Sequence, residues 1–221
     1  YEHGLDDVYV GLVEQKEKHP NADRLNVAIV NVGRQGTHQI VCGAPNLAVG
    51  QKVAVVLPGA TLPGDFAIEA REIRGVASSG MICSEKELGI SEGHEGILVL
   101  PEDTPVGALF AKHFGLDDSV LDIKVLPDRA GDALSYQGIA REIAALDGYA
   151  PEFTEIEKKQ LRVPAYNRAP KITVVDKVGC PRYIGLYFEN VQNTESPLWL
   201  KVRLLVSGLR PKSLVVDITN Y

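Results

Sequence analysis

Histidines, cysteines and carboxylates are the usual sources of acid–base, nucleophilic and metal chemistry, and here they form no recognisable constellation. The five histidines, His3, His19, His38, His94 and His113, are dispersed and mostly occupy polar turns. Solvated or locally hydrogen-bonded imidazoles are the ordinary outcome there. Cys42 and Cys83 lie in apolar, strand-like contexts and read as small core residues, and with Cys180 they make no C-x-x-C pair. Asp and Glu are abundant, but no spacing singles out two of them as acid and base. The chain has no P-loop, no G-x-G-x-x-G after a strand, no G-x-S-x-G and no H-E-x-x-H. No metal ligand set is expected, and chemistry alone reaches only a β-barrel joined to an α+β piece.

What must position any site is better defined. In 221 residues, 45% are hydrophobic and 24% charged, which is the balance of a globular protein and not of a disordered or coiled-coil chain. The apolar runs are strand-sized, so no membrane span is expected. Three scattered cysteines give no disulfide framework, and a reducing cytoplasm is the expected setting. Tyr1 is not an initiator and no signal peptide is present, so a piece of a longer protein is expected. The net charge of −6 is uneven, with −8 on residues 1–125 and +2 on residues 126–221. An acidic first half is a poor footprint for unspecific polyphosphate binding, so any nucleic-acid role there must rest on a local patch.

The first 100 residues read as short strands between turns: Val8–Val13, Leu25–Val32, His38–Cys42, Lys52–Leu57, Phe66–Ile68, Glu72–Arg74, Gly80–Cys83 and Gly96–Leu100. Gly and Pro at the corners indicate a small closed barrel. Three helices follow. Thr104 and Pro105 open the first, with Leu109, Phe110 and Phe114 as its stripe and Gly115 as its stop. Asp132 caps the second, with Ile139, Ile143 and Leu146 on one face before Gly148. Ser196-Pro197 opens the third, with Leu198, Val202 and Leu205 at helical spacing and Gly208 as its stop, and Trp199, between Leu198 and Leu200, reads as core. Lys171–Val175, Arg182–Phe188 and Leu214–Ile218 read as strands, the last running into the terminus as if a domain continued. The fold class is therefore mainly β with an α+β portion. The expected organisation is a barrel over 1–118, a loop–helix connection over 119–150, a Pro-rich and charged linker over 151–170, and an incomplete domain over 171–221.

Four ordered blocks carry a resemblance. Lys18-His19-Pro20-Asn21-Ala22-Asp23-Arg24-Leu25 precedes Gln39-Ile40-Val41-Cys42-Gly43-Ala44-Pro45-Asn46. Ile73-Arg74-Gly75-Val76-Ala77-Ser78-Ser79-Gly80-Met81-Ile82-Cys83-Ser84 and Glu85-Lys86-Glu87-Leu88-Gly89 follow. Together they resemble the tRNA-binding OB module of bacterial phenylalanyl-tRNA synthetase β subunits, a module also appended to some methionyl-tRNA synthetases and found as free tRNA-binding proteins. The second half separates these relatives. Pro127-Asp128-Arg129, Gly138-Ile139-Ala140-Arg141-Glu142, Cys180-Pro181-Arg182-Tyr183, Ser196-Pro197-Leu198-Trp199-Leu200 and Val215-Val216-Asp217-Ile218-Thr219-Asn220-Tyr221 resemble the segment after the module and the start of the β subunit's editing domain. Asp128, the additional Gly131 and Lys212-Ser213-Leu214 depart from the family pattern.

The resemblance implies an OB-fold barrel, a helical segment and an incomplete α+β editing-type domain. Aminoacylation would fall to the α subunit of an α2β2 ligase using ATP and Mg, and this fragment would need no cofactor of its own. Its implied partners are tRNA(Phe) and the α subunit, with tRNA binding, assembly and proofreading of tyrosyl-tRNA(Phe) as its share. Thr219 and Asn220 match editing-pocket positions, where a hydroxyl and a carboxamide could orient substrate or water; the same pair could instead hydrogen-bond the backbone of a turn. Lys18, Arg24, Arg34, Lys52, Arg71 and Arg74 could line an RNA-facing groove, although acids neighbour them. Arg129, Arg141, Arg210 and Lys212 are structural ion-pair partners or solvated charges. The alternative to a ligase fragment is a free-standing tRNA-binding OB-module protein without catalytic role.

Overall fold

The computed structural model describes residues 4–151 and 171–221. Ten strands come first: β1 (Val8–Lys18), β2 (Asn26–Asn31), β3 (Thr37–Cys42), β4 (Lys52–Val56), β5 (Thr61–Leu62), β6 (Phe66–Ala67), β7 (Arg71–Ile73), β8 (Val76–Ser78), β9 (Met81–Ile82) and β10 (Val99–Leu100). Four helices follow: α1 (Phe110–Phe114), α2 (Tyr136–Asp147), α3 (Leu198–Val206) and α4 (Leu214–Asn220). Residues 1–120 with 193–221 form one compact unit and residues 121–192 another.

In the first unit an antiparallel sheet runs β10-β4-β1-β2-β3, with β9 also on β4. The segment from β8 to β9 closes the ring. On the β3 side Ser79 N–H donates to Gln39 O at 2.8 Å and Val41 N–H to Ser78 Oγ at 3.0 Å, while β9 pairs with β4 at Val55 and Val56. The result is a nearly closed antiparallel barrel of the OB type. β1 can serve both β2 and β4 because its register slips between Val13 and Gln15, a bulge that bends the strand. Gly11 allows a close approach inside the barrel: a Cβ there would lie 2.7 Å from both Val30 Cγ1 and Val55 Cγ2.

The run Lys52–Val56 is almost wholly apolar because β4 is covered on both faces. Val53 and Val55 join Val13, Val30, Ile40 and Ile82 inside the barrel. Ala54 and Val56 face a second core with Val8, Val10, Leu88, Phe110, Leu116 and, from α3, Val202. α3 is further fixed by Lys201, whose Nζ bonds Glu85 Oε1 and Oε2 at 2.7 and 2.8 Å with side chains only 8% and 15% exposed.

Several expectations need correction. Leu214–Asn220 is helical, not a strand. The buried Asp217 reaches back to the Lys212 N–H, and Thr219 Oγ1 donates to Val215 O and Val216 O, contacts that an extended chain cannot make. Among the described residues, 171–175 and 182–188 pair with no strand. Their side chains are largely exposed, so β-propensity finds no sheet to join. Trp199 is 54% exposed, while Leu198, Val202 and Leu205 of α3 pack on the second core. α1 begins at Phe110, five residues after Pro105, while Gly115 ends it in the left-handed conformation as expected.

In the second unit Ser135, not Asp132, caps α2, its Oγ accepting from Gly138 N–H at 3.0 Å. Asp132 is occupied by Arg129, which also bonds Glu142 at 2.7 Å. The guanidinium holds the Asp132 carboxyl below the usual carboxylate range. Ile143 and Leu146 of the expected apolar stripe are exposed, and Gly138 and Ala144 are the buried positions of α2. The linker expected over 151–170 lies, apart from Pro151, outside the described residues.

Candidate functional site

Two blocks far apart in sequence meet at one end of the barrel. In the turn after β1, His19 is buried, and its Nδ1 accepts from the Asn21 N–H at 3.0 Å. A neutral ring accepting at Nδ1 carries its proton on Nε2, which donates to Ile73 O at 2.9 Å. Asn21 Nδ2 donates to Arg74 O at 2.9 Å. Arg74 and Gly75 have φ of 49° and 83°, the paired left-handed conformation of a tight two-residue hairpin between β7 and β8. His19 and Asn21 therefore hold the consecutive carbonyls of Ile73 and Arg74 where the hairpin turns, and glycine suits the second turn position.

This docking gathers Lys18, Arg24 and Arg74 at exposed positions around one barrel end, with Arg71 at the base of the same hairpin. Glu17, Asp23 and Glu72 are interspersed, so the patch is mixed rather than purely basic. Arg34 falls in the turn at the other end of β2, roughly 20 Å away along a six-residue strand. Lys52 is half-buried, and its Nζ donates to Thr104 O, a structural use of the charge. The structure thus brings four of the six cations together, separates one and occupies one.

A cleft of about 580 Å³ opens elsewhere on the barrel, lined by Asn46, Glu85, Glu92, His94, Glu95 and Glu195. Its wall is organised by Asn46, which exchanges two 2.9 Å bonds with the Ile97 backbone as a strand residue would. Gly96 permits this approach, since a Cβ would lie 2.4 Å from Asn46 Oδ1. Its acidic lining disfavours phosphate. The Lys201–Glu85 pair beside it was missed by sequence reasoning, because 116 positions separate the partners and neither sits in a motif that implies the other.

Thr219 and Asn220 form the last turn of α4. The Thr219 hydroxyl donates at 2.7 and 2.9 Å to two carbonyls of its own helix, the backbone-bonding alternative, while Asn220 is exposed. Nearby, Arg203 lies 5.8 Å from the ring centroids of both Trp199 and Tyr221 and donates to the Tyr221 hydroxyl at 2.6 Å. Burial pushes the Cys42 and Cys83 thiols up, consistent with inert core residues. Among the described residues no group of three His, Cys, Asp or Glu is placed to hold a metal ion, and no helix is long and apolar enough to cross a membrane.

Two protein families match parts of the chain. Residues 8–109 match the tRNA_bind family of tRNA binding domains, and residues 179–221 match the B3/4 domain family. The chain is thus of the class that joins a tRNA-binding barrel to a B3/4 module. It is 43% identical over 217 residues to the phenylalanine–tRNA ligase beta subunit of Fusobacterium nucleatum, covering 98% of this chain and 27% of that protein. The same subunit of Salinibacter ruber is 45% identical over 241 residues (98% and 28%), and that of Geobacter metallireducens 46% over 218 residues (99% and 27%). The chain belongs to the phenylalanine–tRNA ligase beta subunit family and spans about a quarter of the length of these relatives. Because the likeness runs through both halves, the free-standing module alternative falls. Among solved structures, a MetRS related protein from Pyrococcus horikoshii shares 27% identity over 46% of this chain and 85% of that chain, with a TM-score of 0.35. That score bears no weight, and the fold rests on the strand pairing.

Proposed function

We propose that this chain is the non-synthetic part of a phenylalanine–tRNA ligase β chain, contributing tRNA(Phe) binding and positioning, assembly with the α subunit, and the start of the proofreading domain. The observation that carries this reading is the tRNA-binding barrel and the B3/4 module on one continuous chain. In the reading, Lys18, Arg24, Arg71 and Arg74 face tRNA phosphates at the barrel end, and Arg34 and Lys52 contribute little. The parent is a cytoplasmic α2β2 assembly using ATP and Mg. In this reading ATP and Mg serve aminoacylation on the α subunit, and this chain contributes no residue to either.

Proofreading follows from chemistry. Tyrosine is phenylalanine with one hydroxyl added, and an apolar pocket rejects an added hydroxyl only weakly, so a second, hydrolytic site must remove tyrosyl-tRNA(Phe). Asn220 offers an exposed carboxamide for that site, able to orient water or the substrate hydroxyl without titrating. Thr219, whose proton is committed to its own helix, can still accept a bond. The test is deacylation of tyrosyl-tRNA(Phe) by the full-length β chain with its α partner. Asn220→Ala is expected to slow it substantially and Thr219→Ala less. Wild-type rates in both variants would return the two residues to a purely local role.

A further inference from the structure

Asp217 is fully buried, yet among the described residues no cation pairs with its carboxylate. One oxygen, Oδ2, accepts the hydroxyl of Ser196, and the other accepts the Lys212 N–H at 2.8 Å. Its backbone is equally committed: its N–H donates to Ser213 O at 2.8 Å, and its carbonyl accepts the Tyr221 N–H at 2.9 Å. One side chain therefore ties together the entry to α3, the loop before α4 and α4 itself. Burying a carboxylate costs free energy unless its oxygens are bonded, and here each has a neutral donor. A buried ionisable group held this way, two residues before Thr219, suggests a demand for geometry.

We propose that Asp217 is a positioning residue for the proofreading pocket. Gripped by Ser196 and the Lys212 backbone, it sets the placement of the α4 turn that presents Thr219 and Asn220. The proposal rests on the reading of Thr219 and Asn220 as pocket residues. It adds Ser196 and Asp217, which touch no substrate and act through α4. A shift of about an ångström at a reacting site can cost on the order of 100-fold in rate, so a loosened α4 is expected to act on turnover and not on tRNA affinity.

The experiment measures tyrosyl-tRNA(Phe) deacylation per folded enzyme in the full-length β chain assembled with its α partner, for Asp217→Ala, Asp217→Asn, Ser196→Ala, Thr219→Ala and Asn220→Ala. Asp217→Ala is expected to lower kcat about 10-fold or more with KM for tRNA unchanged. Asp217→Asn should recover most of the rate, because an amide oxygen still accepts from Lys212 and its NH2 can donate to Ser196 Oγ. Ser196→Ala should fall between wild type and Asp217→Ala. A wild-type rate in Asp217→Ala with Asn220→Ala slow would overturn the proposal while sparing the pocket. So would an Asp217→Asn as slow as Asp217→Ala. If Asp217→Ala does not fold, a wild-type rate in Ser196→Ala overturns the proposal. Wild-type rates in both Thr219→Ala and Asn220→Ala would remove the pocket reading itself, and the proposal with it.

Discussion

Within the barrel Val10, Val30, Ile40 and Val53 are wholly shielded from water, whereas in the second unit Leu121, Tyr136, Leu146, Val175 and Val178 are exposed, the last two at 93% and 95%. Among the described residues of the second unit, Arg129 bonds Asp132 and Glu142, and the Asp176 carboxylate takes the Val178 and Gly179 N–H groups, all within thirteen positions in sequence. In the barrel such contacts cross the chain, as Lys201 does to Glu85. The first unit therefore draws its stability from apolar burial and long-range closure, and substitutions there should be felt by the whole unit.

The sharpest way to break this comparison is through the two paired cations, Lys201 and Arg129. Lys201→Ala leaves Glu85 in a mostly buried site without its cation, a loss of about 3–5 kcal/mol, read from the urea midpoint of the barrel transition. Arg129→Ala removes exposed partners and should leave that midpoint unchanged. Equal effects would contradict the contrast. Gly11→Ala is next, at about 1–3 kcal/mol, because the added methyl drives into Val30 and Val55; the same titration measures it. Asn21→Ala frees the Arg74 carbonyl at the exposed hairpin tip and should cost about 1 kcal/mol. Faster amide exchange near Gly75 would report it.

The thiols sharpen the contrast kinetically. Cys42 and Cys83 are buried in the barrel, and desolvation raises both, so they stay protonated and shielded at neutral pH. Cys180 of the second unit is half-exposed. Alkylation of the native chain should modify Cys180 first and the other two only on unfolding. Raising the pH toward 9 should leave Cys42 and Cys83 protected. Early modification of Cys83 would mean that the barrel opens far more readily than its core implies.

The barrel was legible because its strands are defined by period-2 alternation and by Gly-Pro corners, both local signals. The very short β5 and β8 escaped notice because two or three residues carry no period. α4 misled because Val215, Val216 and Ile218 favour strands, and the deciding contacts of Asp217 are tertiary. Trp199 misled because apolar neighbours in sequence, Leu198 and Leu200, point to other sides of the helix and do not cover it. At the candidate site the residue types were legible, but not their grouping. That Arg74 joins Lys18 and Arg24 while Arg34 stands apart follows from His19 and Asn21 docking a hairpin more than fifty residues away.

That grouping is tested most directly by titrating labelled tRNA(Phe) with the 221-residue chain at two or more salt concentrations, beside Lys18→Gln/Arg24→Gln/Arg74→Gln and Arg34→Gln variants. With acids interspersed, binding should be weak, with Kd above roughly a micromolar at physiological salt. Neutralising few phosphates implies a shallow slope of log K against log salt, about 0.7–0.9 for each phosphate neutralised. The triple variant should flatten that slope and weaken binding several-fold, while Arg34→Gln should leave both unchanged. Submicromolar binding that falls steeply with salt, or an Arg34 variant as impaired as the triple one, would contradict the assignment of tRNA contact to this end of the barrel.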